Sequence, residues 1–255
     1  GDYVYFAECE DGDGYVGVDY GEFTVSTAPQ SEGAIDAPIV LTVGEPHSGQ
    51  VTDALSPDGY SWYVFDGIAG ASYGIVVSDL SDDAVSGSLR EVDTDGWIWD
   101  FIASLWVAPD GTKRYYATAE YSATYGVRVH GGPTLAGDFA TYTLTVSEET
   151  PFSIEGSVTV DPGYTGSGPL LVAALVEGES VGPVFESPTE VTGGDTVPYE
   201  LTGVLPGYVQ VFAFVDQTGD QDWDVVEPVG AHPALDSTAW FDENATGVDF
   251  TIVKY

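Results

Sequence analysis

Short strand-forming runs separated by turn residues restrict the possible folds of this chain more than any other feature of its sequence. Few windows place apolar residues three and four positions apart, as an amphipathic helix would, whereas two-residue alternation and short β-branched or aromatic runs recur along the chain. Glycine, proline, aspartate and serine bound these runs, and the chain contains 32 glycines and 15 prolines. We therefore expect an all-β protein.

The first 36 residues form an acidic, glycine-rich arm. Val16, Val18 and Tyr20 alternate with glycine and aspartate, which is typical of a strand. Residues 15–25 either pair within their own chain or add to a sheet of a neighbouring subunit, and the sequence leaves both alternatives open.

Residues 37–148 are expected to form the first β-sandwich domain. Strand-like runs at 39–43, 62–65, 73–77, 105–107, 125–129 and 142–146 have the spacing of a sandwich or barrel. The segments GEPHSGQV, YSWYVFDGIAGASYGIVV, YGVRVHG and GDFATYTLTV, in this order, resemble the bacterial pre-peptidase C-terminal domain. That resemblance implies a small non-catalytic sandwich attached to exported proteins.

Residues 152–253 are expected to form a second, different β-sandwich domain after a boundary at 149–151. The segments FSIEGSVTV, GPLLVAALVEG, YELTGVLPGYVQVFAFVD and GVDFTIV resemble carboxypeptidase-regulatory-like, or transthyretin-like, sandwiches. That resemblance implies a structural or adhesive module. The sequence thus predicts two tandem β-sandwich domains after an N-terminal strand-like arm.

The charge of the chain restricts its partners. There are 42 acidic residues against 5 basic ones, so the formal net charge is -37. Such a surface repels nucleic-acid phosphates and anionic lipid, and we expect neither partner. The self-repulsion favours a saline or calcium-rich medium, although simple solubility is the alternative reading.

Several features favour an extracellular or cell-surface location. Cys9 is the only cysteine, which excludes an internal disulfide and leaves an intermolecular pair or a small buried thiol as alternatives. No apolar run approaches the roughly 20 residues of a membrane span, so we expect no membrane insertion. The chain begins at Gly1 and contains no methionine, as expected of a processed, exported protein.

The segment after residue 215 carries the sharpest chemical signal. Oxygen-bearing side chains recur at positions one, three, five, seven, nine and twelve of a loop, the spacing of an EF-hand, although Gln221 replaces the usual glycine at position six. Close carboxylates repel one another unless a cation lies between them, so the loop predicts calcium as cofactor. The expected ligands are Asp216, Thr218, Asp220, Asp222, Asp224 and Glu227.

Weaker acidic turns occur at residues 11–14 and 93–96, each with only two carboxylates. Asn244 lies in a glycosylation sequon, and it is the only asparagine in the chain. Trp97 and Trp99 would share one strand face and are candidate carbohydrate-binding residues, with burial in the core as the alternative.

No catalytic residue can be assigned from the sequence. His47, His130 and His232 are isolated, and no Gly-x-Ser-x-Gly motif occurs. Glu8 and Glu10 flank Cys9 and would raise the pKa of its thiol, which disfavours a nucleophile. We therefore expect a protein that is not an enzyme.

Two functions fit these features. The first is a calcium-stabilised structural subunit that self-associates into an extracellular filament or surface assembly by β-strand complementation. The alternative is an accessory or carbohydrate-binding region of a secreted hydrolase.

Overall fold

Every regular element of the described chain is a β-strand, which confirms the predicted all-β class. The computed structural model describes residues 2–10, 16–24, 33–52, 59–92, 98–132, 135, 139–176, 181–221 and 227–254. These ranges contain no helix that would traverse a lipid bilayer.

The arm forms a β-hairpin. Strands β1 (Asp2–Glu10) and β2 (Val16–Thr24) pair antiparallel over nine residues without a register shift, from Asp2 opposite Thr24 to Glu10 opposite Val16. The strand expected at 15–25 therefore pairs within its own chain, because β1 offers it a complete antiparallel partner. The hairpin is a separate two-stranded sheet that pairs with no other described strand.

Ten strands form the first sandwich. They are β3 (Ile39–Val40), β4 (His47–Thr52), β5 (Tyr60–Gly67), β6 (Ser72–Ser78), β7 (Val85–Val92), β8 (Ile98–Ser104), β9 (Trp106–Val107), β10 (Lys113–Thr118), β11 (Ala123–Gly131) and β12 (Phe139–Glu149). Sheet 1 has the order β4-β12-β6-β10-β9, and sheet 2 has the order β3-β5-β11-β7-β8. All pairs are antiparallel except β3 with β5.

The alternation of β12 explains how this sandwich closes. Ala140, Tyr142, Leu144 and Val146 are buried, while the residues between them are more exposed. They pack against inward-facing residues of sheet 2, including Tyr63, whose hydroxyl lies 2.6 Å from that of Tyr142. The pairing of the two hydroxyls satisfies polar atoms that burial would otherwise penalise.

Eight strands form the second sandwich. They are β13 (Phe152–Val160), β14 (Gly168–Val176), β15 (Val181–Val191), β16 (Thr196–Val204), β17 (Gly207–Val215), β18 (Val229–His232), β19 (Ala239–Phe241) and β20 (Phe250–Ile252). Sheet 3 has the order β16-β13-β20. Sheet 4 has the order β15-β14-β17-β18, and β19 also pairs with β17. A second hydrophobic core lies between them and includes Ile154, Leu170, Leu201 and Ile252.

Trp106 connects the two cores. It packs against buried residues of both sandwiches, and its ring meets Tyr115 edge-on at 5.2 Å between centroids. A Cβ atom on Gly207 would lie 3.1 Å from the indole, so glycine allows this close approach. The Tyr208 hydroxyl donates a hydrogen bond to the Val107 carbonyl at 3.0 Å. The connection between β12 and β13 is only two residues long.

Candidate metal centre in the acidic loop after β17

The acidic loop leaves the second sandwich directly from a buried strand. Val215, the last residue of β17, is fully buried, and Asp216 is only 2% exposed. The Asp216 backbone N–H donates to the Pro169 carbonyl at 2.9 Å. The first predicted ligand is therefore fixed by the sheet rather than by the loop.

The Asp216 carboxylate organises the first half of the loop. Its Oδ1 accepts the Gly219 N–H at 2.6 Å and its Oδ2 accepts the Gln221 N–H at 3.0 Å. Gly219 and Gln221 both have positive φ, 75° and 62°. Gln221 thus adopts at position six the left-handed conformation that usually selects glycine there.

Glu227 closes the other end of the loop. It is 1% exposed, and its Oε1 accepts the Gln217 N–H at 2.6 Å. The Val215 N–H donates to the Pro228 carbonyl at 3.3 Å. The first and twelfth residues of the predicted motif are therefore buried carboxylates, and hydrogen bonds join the two ends of the loop.

The negative charge of Glu227 acts on the phenol of Tyr164. Burial raises the pKa of its phenol, and the negative charge of Glu227 raises it further. The buried phenol and Glu227 are therefore close enough to interact electrostatically at the base of the loop.

The remaining predicted ligands are placed only in part. Thr218 and Asp220 are exposed, and Asp222 and Asp224 lie outside the described residues. Within the described ranges, no group of three or more histidine, cysteine or acidic side chains is arranged to hold a metal ion. The placed donors are all oxygens, which suit calcium better than zinc or copper. The calcium site stays a prediction.

Of the other predicted sites, the structure describes some residues and leaves others outside its described ranges. Trp97 and the acidic turns at 11–14 and 93–96 lie outside the described residues, and Trp99 is described only through the backbone of β8. Asn244 is exposed, and its Oδ1 accepts the Ser153 N–H at 2.8 Å. The carbohydrate and glycosylation predictions remain untested.

The three histidines lie in separate aromatic environments. His47 meets Tyr63 with ring centroids 5.4 Å apart, and His130 meets Tyr60 at 5.9 Å. His232 lies 6.5 Å from Phe241. Packing against an aromatic ring therefore explains the position of each of the three imidazoles.

Sequence reasoning missed an apolar cleft in the first sandwich. It lies between β6 and β10 of sheet 1 and β5, β7, β8 and β11 of sheet 2, and its volume is about 210 Å³. The residues that line it come from six strands and the 119–121 segment, so no local sequence motif predicts the cleft.

No protein-family model and no curated protein sequence matches the chain. Solved structures with some similarity include the pre-peptidase C-terminal domain of a Bacillus anthracis collagenase (15% identity, 43% of this chain, 93% of that chain, TM-score 0.34). They also include PliG, a periplasmic inhibitor of g-type lysozyme from Salmonella Typhimurium (16% identity, 44% and 98%, TM-score 0.28).

The major pilin subunit of Bacillus cereus is similar over more of the chain, at 12% identity, 92% of this chain, 80% of that chain and a TM-score of 0.21. At these identities and TM-scores, the three proteins assign neither a family nor a function to this chain. No comparison tests the transthyretin-like resemblance of residues 152–253.

Proposed function

We propose that this protein is a non-catalytic, calcium-stabilised subunit of an extracellular filament or surface assembly. In this proposal the N-terminal hairpin of one subunit adds to a sheet edge of the next. The observation that carries it is the pairing of β1 and β2 with each other and with no other described strand.

An isolated hairpin is a marginal structure in water. Two strands bury too little surface to offset the conformational entropy lost on ordering, and a third strand or a packed layer is normally needed. The register also places Tyr3 opposite Phe23 and Phe6 opposite Tyr20, so aromatic residues recur along the ribbon. Addition to a neighbouring sheet supplies the missing strand partner and apolar contacts.

The acceptor in this proposal is β8, an edge strand of sheet 2 whose other edge, β3, has only two residues. Phe101 and Ile102 are 57% and 39% exposed on it, which is unusual for an unprotected edge. The longer edge strand β15 contains Pro183 and Pro188, which cannot donate hydrogen bonds to an added strand. Strand β8 contains no proline.

The contact between the sandwiches supports a structural role. Trp106 packs against both cores and a two-residue connection joins β12 to β13. In a structural subunit such a contact would limit the relative motion of the two sandwiches.

Calcium contributes stability in this proposal rather than chemistry. The buried carboxylates of Asp216 and Glu227 would hold the ion, with the outer loop oxygens completing its shell. Bound cations would also offset part of the net charge of -37.

Electron microscopy of the native protein in calcium-containing buffer tests this function. We expect regular filaments or sheets from the wild-type chain, and dispersed particles after deletion of residues 2–24. Phe101→Lys places a charge on the proposed acceptor edge and should also abolish assembly. Val184→Lys is the matched control, because Val184 is 55% exposed on β15, an edge strand of sheet 4.

Dispersed wild-type particles under these conditions would contradict the proposal. The accessory or carbohydrate-binding alternative would then be tested by a glycan screen with Trp97→Ala and Trp99→Ala. Assembly that survives Phe101→Lys but fails with Val184→Lys would move the acceptor to β15.

A further inference from the structure

We propose that the cleft of the first sandwich binds a small organic ammonium ion that carries a phenyl ring or a short alkyl group. This inference goes beyond the proposed assembly and does not depend on it. It rests on the size of the cleft, the chemistry of its walls and the charge at its mouth.

The cleft has room for one ring and a short chain. Its volume of about 210 Å³ exceeds the roughly 150 Å³ of an apolar protein cavity that accepts benzene. Ile102, Thr118, Glu120 and Tyr121 are the exposed residues of its lining, so we place the opening beside them. A ligand can therefore enter without separation of the two sheets.

The inner walls are apolar and aromatic. Phe65, Ile75 and Leu89 are almost fully buried, and the Phe65 ring lies 5.7 Å from that of Tyr125 in a stacked arrangement. The ring of Tyr73, which also lines the cleft, has its centroid 5.4 Å from that of Phe65. These rings present faces and edges to an inserted apolar group.

The lining tyrosines offer little to bound water. The Tyr73 hydroxyl accepts the Ile68 N–H at 3.0 Å, and the Tyr125 hydroxyl donates to the Tyr121 carbonyl at 3.1 Å. Because each of these two hydroxyls already has one partner in the protein, water in the cleft is held less well than in bulk solvent, and its displacement by an apolar group is favourable.

The mouth of the cleft is negative. Glu91 and the exposed Glu120 both line the cleft, and among the described residues that line it there is no lysine or arginine. Both carboxylates also act on Tyr121, which is half exposed. The hydrogen bond that its phenol donates to the Glu120 carboxylate, and then the charges of Glu120 and Glu91, raise the pKa of the phenol. The two charges therefore meet at one side of the opening.

Apolar walls behind a pair of carboxylates select for a ligand with one apolar end and one positively charged end. The ring or alkyl group enters the cleft and the ammonium group stays at the mouth, where the aromatic Tyr121 adds a cation–π surface. The net charge of -37 attracts cations to the whole molecule and repels organic acids of the same shape.

Three probes that differ only in their head group test the proposal on the full chain. Calorimetric and NMR titrations with 2-phenylethylammonium, 2-phenylethanol and phenylacetate should give affinities in that order. We expect the ammonium to bind about five-fold more tightly than the alcohol, the ratio of a partly exposed ion pair. Its chemical shift changes should centre on Phe65, Leu89 and Tyr125.

Two sets of variants separate charge from shape. The double variant Glu91→Gln/Glu120→Gln should bring the affinity of the ammonium to that of the alcohol, whereas Glu155→Gln/Glu200→Gln on the second sandwich should change nothing. Ala117→Phe fills the cleft and should weaken all three probes. Equal affinities for the three probes, or shift changes outside the cleft, would overturn the proposal.

Discussion

Arg128 and Arg90 form a small positive patch on a strongly acidic chain, and His130 lies beside it. The Arg128 guanidinium lies 4.9 Å from the centroid of the Tyr60 ring and 5.8 Å from that of Trp62. Burial, then repulsion by Arg90, lowers the pKa of Arg128. His130, which also meets Tyr60, lies within reach of both arginine charges.

The His130 imidazole should titrate below its ordinary pKa of 6.5. Burial is the largest cause, and repulsion by Arg128 and Arg90 acts in the same direction, against a backbone hydrogen bond that favours the charged form. NMR titration, assigned with His130→Gln, measures this value. Arg128→Gln should raise it, and Arg114→Gln should leave it unchanged. A His130 pKa above 6.5 in the wild-type protein would contradict this account.

The lowered pKa of His130 also sets the sign of its contribution to pH-dependent stability. The unfolded chain binds the proton more readily than the folded protein, so stability falls as the pH drops below about 6.5 toward the folded pKa. Urea denaturation at pH 7.5 and pH 5.5 should therefore show a smaller pH effect in His130→Gln than in the wild-type protein.

Among the elements, the loop after β17 is held by buried side chains at both of its ends. Its two terminal carboxylates are buried, and each accepts backbone N–H groups within the loop. Such hydrogen bonds hold the carboxylate oxygens in fixed directions before any cation arrives. The loop is therefore preordered at Asp216 and Glu227, and in the proposed calcium site the exposed Thr218 and Asp220 would complete the coordination shell.

Chelation of calcium should lower the melting temperature by about 5–10 °C, the shift expected when an ion at about 100 times its Kd is removed from a chain of this size. Asp216→Asn keeps an acceptor oxygen but removes a charge, and it should abolish the difference between calcium and chelator. Asp236→Asn, at an exposed position outside the loop, is the control and should retain the difference. Identical melting curves with calcium and chelator in the wild-type protein would contradict the prediction.

Periodicity alone predicts a large part of the strand pattern. In β12 and β17, alternation directly indicates the buried face, as at Leu144 and Val211. The run at 39–43 is a strand only over Ile39–Val40, because β5 pairs in parallel with these two residues and a turn follows. Local sequence carries no information about such a partner.

The sequence predicts the spacing of the oxygen-bearing side chains in the candidate site, but not the burial of its two end residues. The oxygen positions from Asp216 to Glu227 can be counted in the sequence, whereas the sheet contacts that bury the two end residues cannot. Trp106 illustrates the same limit, because the sequence does not show which core an aromatic strand residue packs against. Its contact with a second core depends on residues about 100 positions away.

At the scale of the whole molecule, the two sandwiches are expected to unfold as one unit. Trp106 belongs to the first sandwich and packs against the core of the second, and the Arg114 guanidinium lies 5.8 Å from the centroid of the Trp240 ring. These contacts couple the stability of one core to that of the other.

Trp106→Ala should uncouple the two cores. Loss of the indole removes packing from both at a cost of about 3 kcal/mol, and calorimetry should then show two transitions in place of one. Val107→Ala is the control, because its side chain is 53% exposed at the adjacent position. A single transition in Trp106→Ala with an unchanged midpoint would show that the sandwiches are not coupled through this residue.

Cross-linking from Cys9 tests the central claim, addition of the hairpin to a neighbouring subunit, most directly. Cys9 is the only cysteine and lies in β1 opposite Gly17, so a benzophenone maleimide marks the hairpin without any substitution. Light and isotopically heavy subunits are mixed in calcium-containing buffer and irradiated. We expect light–heavy cross-links between β1 and residues 98–104 of a second subunit, and cross-links confined to single chains would show that the hairpin does not add to a neighbour.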